Sequence, residues 1–483
     1  MPTEAVQGAA GMGKPACVEV VGDGHVLLTV ARETGLEDAL FKAVGPKDGA
    51  ALLGLAFHQV VEGRPLYLAG DWLTERELPP DMRSGLVSVS RVYDLIGRVG
   101  ADHDARESFF REWFHRHKSA HAVIFDTTSI SSYAAQLDLA EYGYNRDGEK
   151  LPQVNLCLVT DRSSRLPLWC RPVPGSIPDV STLAITIDLL QDLGLQHVTA
   201  SLDRGFYSGA NLRDMLQANL DFIIGVPFSV SRARGLVQKN RAALSSTKRS
   251  FPFEGHIMRH VCAPWEVESA AAERRELEAH LFFEPTRRAE RVHRLEKTVF
   301  ALESKAAEET FEYRAEAIQW LAENARGLAK CFAVENAEDA VFRIRRKPRA
   351  VALAAARLGY TLVLASRPGL TAEEVLKDYR TRDQAEKLFD SLKNEHDQRR
   401  LRTGIDENAE GRLFLAFLAL VLRAELENRM RKADLLRKVT VAQFFAQMRK
   451  IKAVKTQSGK RFLLEMAKRR RQLLAAVAVP LPS

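Results

Sequence analysis

The sequence predicts an α/β protein: a mixed sheet with helices packed on it, interrupted by an inserted subdomain and flanked by helical N- and C-terminal regions. Three observations carry that prediction. Between residues 121 and 227, short apolar runs alternate with amphipathic segments of helical period. From about 228 to 358 this order gives way to a mixture of β-like and helical pieces, and it resumes at "YTLVLAS", 360–366. Residues 1–115 and 405–483 carry their apolar residues mainly at helical spacing. A chain of 483 residues is also too long for one ordinary core. The expected division is a mostly helical N-terminal region (1–115), a first part of the core (116–227), an inserted mixed α/β subdomain (228–358), a second part of the core (359–404) and a basic helical C-terminal region (405–483).

After a Gly-rich start, "DALFKAVG", "GAALLGLAFHQVV" and "SVSRVYDLIGRVG" each read as helices. "VARETGL", 30–36, has a helix-turn-helix flavour, although a plain core helix is the simpler account. "HAVIFDTTSI" is a short apolar run ending at Asp126. "PQVNLCLVTDRSSRLPLWCRPV" reads as a hairpin, with Asp161 as a turn former. "DVSTLAITIDLLQDLG" is a capped amphipathic helix, "HVTASLDRGF" a strand ending at Asp203, "SGANLRDMLQANL" a helix and "DFIIGVP" a strand. Within the insertion, "HLFFEPT" and "AVFRIRR" look β-like, whereas "AAERRELEA" and "TFEYRAEAIQWLAENA" look helical. "DYRTRDQAEKLFDSLK", 378–393, has no Pro or Gly and reads as one continuous helix.

The longest fully apolar run, Leu413 to Leu422, lies between Arg412 and Arg423. It is far too short to span a bilayer, so it reads as a buried helix, and no membrane partner is expected. The five cysteines (Cys17, Cys157, Cys170, Cys262 and Cys331) are scattered, with no C-x-x-C pair. Neither a disulfide framework nor a zinc site is indicated, and a reducing, cytoplasmic location is expected. The net charge of +8 and pI near 9.2 suggest a polyanionic partner. Ten Lys or Arg against one acid lie between Arg449 and Arg471, and five more lie in "RIRRKPR", 343–349. Either cluster alone suits a solvated face; together they favour phosphate contacts.

Asp126 and Asp203 both end apolar runs expected to be strands, and active clefts of α/β sheets open at such ends. A third acid, Glu386, lies on the helix expected at 378–393. At about 100° per residue, Tyr379, Arg382, Glu386 and Lys393 would share an arc of roughly 60° beside the face formed by Ala385, Leu388, Phe389 and Leu392. Three convergent carboxylates need a cation, and oxygen ligands without His or Cys select Mg²⁺ or Mn²⁺. Arg382 and Lys393 would then hold phosphates beside Glu386, with Tyr379 bonding or stacking nearby.

The spacing Y-x-x-R-x-x-x-E-x-x-x-x-x-x-K, met by Tyr379, Arg382, Glu386 and Lys393, resembles the signature of the insertion-sequence-four-like branch of bacterial DDE transposases. Asp126 in "IFDTT" and Asp203 in "DRGF" match that family's other two acids. The resemblance implies a ribonuclease-H-like catalytic core with a largely β insertion between the second Asp and the Glu. It implies Mg²⁺, with Mn²⁺ as a substitute, bound by Asp126, Asp203 and Glu386. It also implies DNA contacts from Tyr379, Arg382 and Lys393, and a tryptophan of the insertion, Trp265 or Trp320, that receives a flipped base. The expected activity is cut-and-paste transposition by a nucleoid-associated homodimer acting on double-stranded DNA, both the element's terminal inverted repeats and the target. Relatives often carry extra β-rich sequence ahead of the helical N-terminal region. The alternatives are a ribonuclease-H-like nuclease without strand transfer and a catalytically inactive, transposase-derived DNA-binding protein.

Overall fold

The computed structural model describes residues 15–83, 86, 88–117, 122–134, 136–145, 148–178, 180–183, 186–187, 199–268, 274–337, 341–395 and 400–482. They form two compact units. One contains residues 1–206, 218–220 and 380–483, and the other residues 207–217 and 221–379.

The first unit holds the strands expected after residue 121. β2 (Ala122–Ser132), β3 (Gln153–Asp161) and β4 (Pro167–Pro174) form an antiparallel meander. β5 (Thr199–Leu202) lies on the other side of β2 and runs parallel to it. The strand order β4-β3-β2-β5 is that of the ribonuclease-H-like core expected from the sequence. Asp161 closes the hairpin as expected: its carboxylate accepts from the Ser164 amide at 2.7 Å and from the Ser163 hydroxyl at 2.8 Å. The expected helix at 179–194 lies partly outside the described residues; Val180–Leu183 and the pair 186–187 are helical.

The N-terminal region is helical from Gly22–Glu33 through His103–Arg116. "VARETGL" is not one core helix. The chain turns at Gly35, whose φ of 76° is left-handed, and a second helix, Leu36–Val44, follows. Leu413–Leu422 is buried throughout, inside a 27-residue helix, Asp406–Lys432. That helix crosses Val89–Ala101 at two glycines, because a Cβ on Gly100 would lie 1.7 Å from the Glu407 carbonyl oxygen and one on Gly411 2.0 Å from that of Ile96. No helix is long and apolar enough to cross a membrane among the described residues.

The C-terminal region is not wholly helical. β14 (Lys452–Thr456) and β15 (Arg461–Leu463) form a sheet with β1 (Pro15–Val20). The partner strand lies more than 430 residues away in sequence, so local pattern gave no cue to the pairing. The basic stretch is partly neutralised here. Arg461 grips Glu77 through Nε and Nη2 at 2.6–2.8 Å, Lys455 lies 2.5 Å from Glu19, and Arg449 lies 3.1 Å from Glu62.

In the second unit, β6 (Asp221–Gly225), β12 (Tyr360–Ala365), β9 (Arg274–Phe283), β8 (His256–Glu268) and β7 (Ser250–Phe253) form an antiparallel succession. "AAERRELEA" is a correction: from Arg274 it is strand, not helix. Leu277 and all of residues 279–283 are buried between two flanking strands, and that pairing outweighs the helix propensity of Glu, Arg and Leu. The helix expected at 310–325 is present as Arg314–Asn324. It packs in a separate small core with the Pro285–Ala307 helix and the pair β10 (Phe332–Asn336) and β11 (Phe342–Arg346).

Candidate active site

Asp126 does not end its strand; it is the fifth of the eleven residues of β2. The interruption is in the neighbour. β5 pairs with β2 only as far as Phe125 opposite Leu202, and β13 (Arg400–Leu401) joins the strand only at Ser131 and Ser132. Asp126 and Asp203 are thus the next two residues of parallel strands in register, side by side where the ladder breaks off. The break admits side chains where a continuous sheet would place backbone. Asp126 is 3% exposed, and its Oδ1 accepts from the Thr127 amide at 2.8 Å. Asp203 opens a short 3₁₀ turn, Arg204–Phe206. Buried Phe206 packs on Phe125 with ring centroids 4.9 Å apart, which anchors the turn to β2.

The helix Asp383–Asp390 packs against β2, and Ala385, Leu388 and Phe389 are its buried residues. Arg382 stands at its N-terminal end, and its Nη1 donates to Asp203 Oδ1 in an ion pair. Glu386 follows Arg382 by four residues, so one turn of helix carries it along the same face. It is exposed, while Lys393, in a π-helical turn at Ser391–Glu395, is half-buried.

The chain matches the transposase DDE domain family over residues 117–422, a span that contains all three acids. It belongs to that family. No curated protein matches the chain. A solved piggyBac transposase synaptic complex with hairpin DNA is similar over 96% of this chain and 83% of that one, with 10% identity and a TM-score of 0.35.

The DDE family uses divalent metal ions, and the donor set here suits one: Asp126, Asp203 and Glu386 offer hard oxygens. Asp126 and Asp203 follow the last paired residues of β2 and β5, and Glu386 lies one turn beyond Arg382, which pairs with Asp203. Among the described residues, the group of three potential ligands whose ligating atoms lie within 4.8 Å of one another is Cys262, Glu278 and His280, in the other unit. The charge opposite Asp203 comes from Arg382.

The expected single helix at 378–393 is corrected. One helix ends at Arg380, the next begins at Asp383, and the backbone widens into a π turn at Ser391. Tight three-residue hydrogen bonds, Gln384 N to Thr381 O and Ala385 N to Arg382 O, both 2.9 Å, mark the junction. The cause is competition between two cores. Tyr379 is buried with Val375 and Leu376 in an apolar cluster of the second unit, while Ala385, Leu388 and Phe389 bury themselves in the first. The four signature residues therefore do not form one stripe. Arg382 and Glu386 share a helix face, whereas Tyr379 lies over Gly225, where an added Cβ would meet its hydroxyl oxygen at 2.4 Å.

The two candidate tryptophans differ in surroundings. Trp265 lines a cavity of about 400 Å³ in the second unit, together with Tyr207, Arg213 and Arg232. The Arg232 guanidinium lies 4.3 Å from the centre of the Trp265 ring. Burial pushes the Tyr207 hydroxyl pKa up. Trp320 instead packs on Phe311 in the small helical core. Arg232 and Tyr207 were not singled out in the sequence, since nothing in "SRARG" or "FYSG" marks them as neighbours of Trp265.

Proposed function

We propose that the chain is a cut-and-paste transposase of the insertion-sequence-four-like group, acting as a homodimer on the inverted-repeat ends of its own element and then on target DNA. The reading is carried by one observation: Asp126 and Asp203 stand side by side at a break in the sheet, and Arg382, one turn from Glu386, reaches Asp203. Asp126, Asp203 and Glu386 would hold Mg²⁺, or Mn²⁺ in its place. Divalent ions bound there supply a Lewis-acid charge that activates water and stabilises the leaving oxygen. The Thr127 amide holds the Asp126 carboxylate in one orientation before DNA arrives. Arg382 and Lys393 present positive charge to the phosphate beside the scissile bond.

Attack of water on the phosphorus at the element end breaks the bond to the 3′ oxygen, which leaves as a hydroxyl. That hydroxyl then attacks a target phosphodiester and releases a 3′ hydroxyl in turn, so each bond broken is replaced by one formed. Trp265 is the proposed receiver of a flipped base, supported by its place beside a cavity lined with arginines.

The test uses band shifts and cleavage on the same terminal-repeat DNA with Asp126→Asn, Asp203→Asn and Glu386→Gln. Each variant is expected to bind DNA and fail to cleave it, because the acids serve the chemistry and not the grip on phosphates. A Glu386→Gln protein that cleaves at the wild-type rate would remove Glu386 from the site.

A further inference from the structure

We propose that the second unit carries a binding site for a zinc-class transition cation, built across β8 and β9 by Cys262, Glu278 and His280. Cys262 and His280 are direct cross-strand partners, and Glu278 lies two residues from His280 on the same face of the sheet. Their sulfur, oxygen and nitrogen atoms all lie within 4.8 Å of one another. Tetrahedral zinc, with bonds of about 2.0–2.3 Å, places its ligands roughly 3.3–3.8 Å apart. Closing the cluster therefore takes about 1 Å of movement, which a rotamer change of exposed Cys262 can supply.

The surroundings of His280 point to a ligand independently. The residue is 1% exposed, and its Nε2 faces a proposed fellow ligand without a well-formed hydrogen bond. The nearest carboxylate oxygen, Glu278 Oε2, stands 3.4 Å away. The other ring nitrogen, Nδ1, meets His260 Nε2 at 3.1 Å. With His280 Nδ1 donating to His260 Nε2, this contact is the kind of outer hydrogen bond by which metal-binding histidines fix their ring and tautomer, leaving Nε2 to ligate. Glu278 is held as well, because the Gly369 amide donates to both of its oxygens at 3.1 and 3.2 Å. A mixed sulfur, nitrogen and oxygen set selects a borderline cation of the zinc type over Mg²⁺. On binding, the Cys262 thiol releases its proton to solvent as the sulfur–metal bond forms, and neutral His280 contributes a lone pair. Exposure at Cys262 leaves a fourth position for water.

The test is titration of the reduced, full-length chain with Co²⁺ as the probe, followed by absorbance. Wild type is expected to develop sulfur-to-cobalt charge transfer and four-coordinate ligand-field bands that saturate at one equivalent, displaced by Zn²⁺ but not by excess Mg²⁺. Cys262→Ser should lose the charge-transfer band, and Cys17→Ser, at an exposed cysteine of the other unit, should keep it. His260→Phe should weaken binding about 10–100-fold while keeping the band at saturation. Absence of a saturable sulfur–cobalt band in wild type, or its persistence in Cys262→Ser, overturns the site. The readout needs no DNA and no cleavage, so either result leaves the assignment of Asp126, Asp203 and Glu386 untouched.

Discussion

Replacing Arg382 with glutamine separates two roles that its position combines. In the folded chain the guanidinium pairs with Asp203, the two side chains being 19% and 33% exposed. A pair that accessible stabilises the fold by about 0.5–1 kcal/mol at most, and the melting temperature should fall by only a few degrees. If the same guanidinium also stabilises the transferring phosphoryl group, its loss costs far more in rate. Removal of one preorganised donor at a developing charge typically lowers the rate by about 10²–10³-fold, or roughly 3–4 kcal/mol. Metal binding should move the other way. Asp203 freed from a cation becomes a better ligand, so the Mg²⁺ concentration giving half-maximal cleavage should fall severalfold. Single-turnover cleavage of an uncut terminal-repeat end, measured across a Mg²⁺ titration, reads both quantities. The expected result is a saturating rate about 100-fold below wild type with a lower half-saturating Mg²⁺. A wild-type saturating rate would show that Arg382 is merely the counter-ion of Asp203 and refute its role in the chemistry. Arg382→Lys keeps the charge but not the forked geometry, and should fall between the two.

Three further outcomes follow from packing and charge. Gly100→Ala places a methyl 1.7 Å from the Glu407 carbonyl oxygen and must push the two crossing helices apart; a loss of at least about 2–3 kcal/mol in chemical denaturation is expected, and a change under about 0.5 would refute the close crossing. His58, 1% exposed beside Arg76, has its pKa pushed from 6.5 down to about 4, chiefly by burial and then by the Arg76 charge. The unfolded chain thus binds the extra proton first, so His58 costs nothing above pH 6.5 and removes up to ~3 kcal/mol of stability as the pH falls to about 4, a slope that should be missing in His58→Phe melts. In the C-terminal segment, Arg461→Ala should lower stability by about 1 kcal/mol without changing the salt dependence of DNA binding, because Arg461 is committed to Glu77. The double change of exposed Lys468 and Arg469 to alanine should flatten that slope by up to about two units.

How far the sequence could be read depended on whether the deciding interaction was local. The β3–β4 hairpin and the role of Asp161 were legible because a turn is specified by its own few residues. The buried helix around Leu413 was legible because ten apolar residues between two arginines have little other use. The strand identity of 274–279 was not, since it comes from β8 and β12 on either side. Nor was the strand at 452–456, whose partner stands at the opposite end of the chain. In the candidate site, the order and spacing of Asp126, Asp203 and Glu386 could be read from the sequence, but two structural details of their setting could not. Asp126 is mid-strand because it is β5, not β2, that stops there. The helix after Tyr379 breaks because two separate cores claim its two ends. The cluster of Cys262, Glu278 and His280 was invisible for a similar reason: no C-x-x-C spacing announces ligands that meet across paired strands.

The same distinction governs the positive charge. A count of basic residues treats every lysine and arginine as available to a polyanion, yet folding commits some of them to acids of the same chain. In the C-terminal stretch, Arg449, Lys455 and Arg461 face Glu62, Glu19 and Glu77, and they help tie the β1–β14–β15 sheet and its flanks together. An arginine locked to a carboxylate adds little field at the surface and releases few counterions when DNA approaches. The cluster at 343–349 behaves differently. Ile344 turns into the small helical core, so the alternation of β11 turns Arg343 and Arg345 outward, and Lys347 and Arg349 are exposed beyond the strand. Arg345 has Glu335 no nearer than 3.9 Å, at a well-exposed site where such a pair is weak. Arg346 is the exception, facing Glu303 at 3.5 Å, so the four basic residues turned to solvent here, like exposed Lys468, Arg469 and Arg471 in the C-terminal stretch, are the candidates for non-specific contact with the DNA backbone.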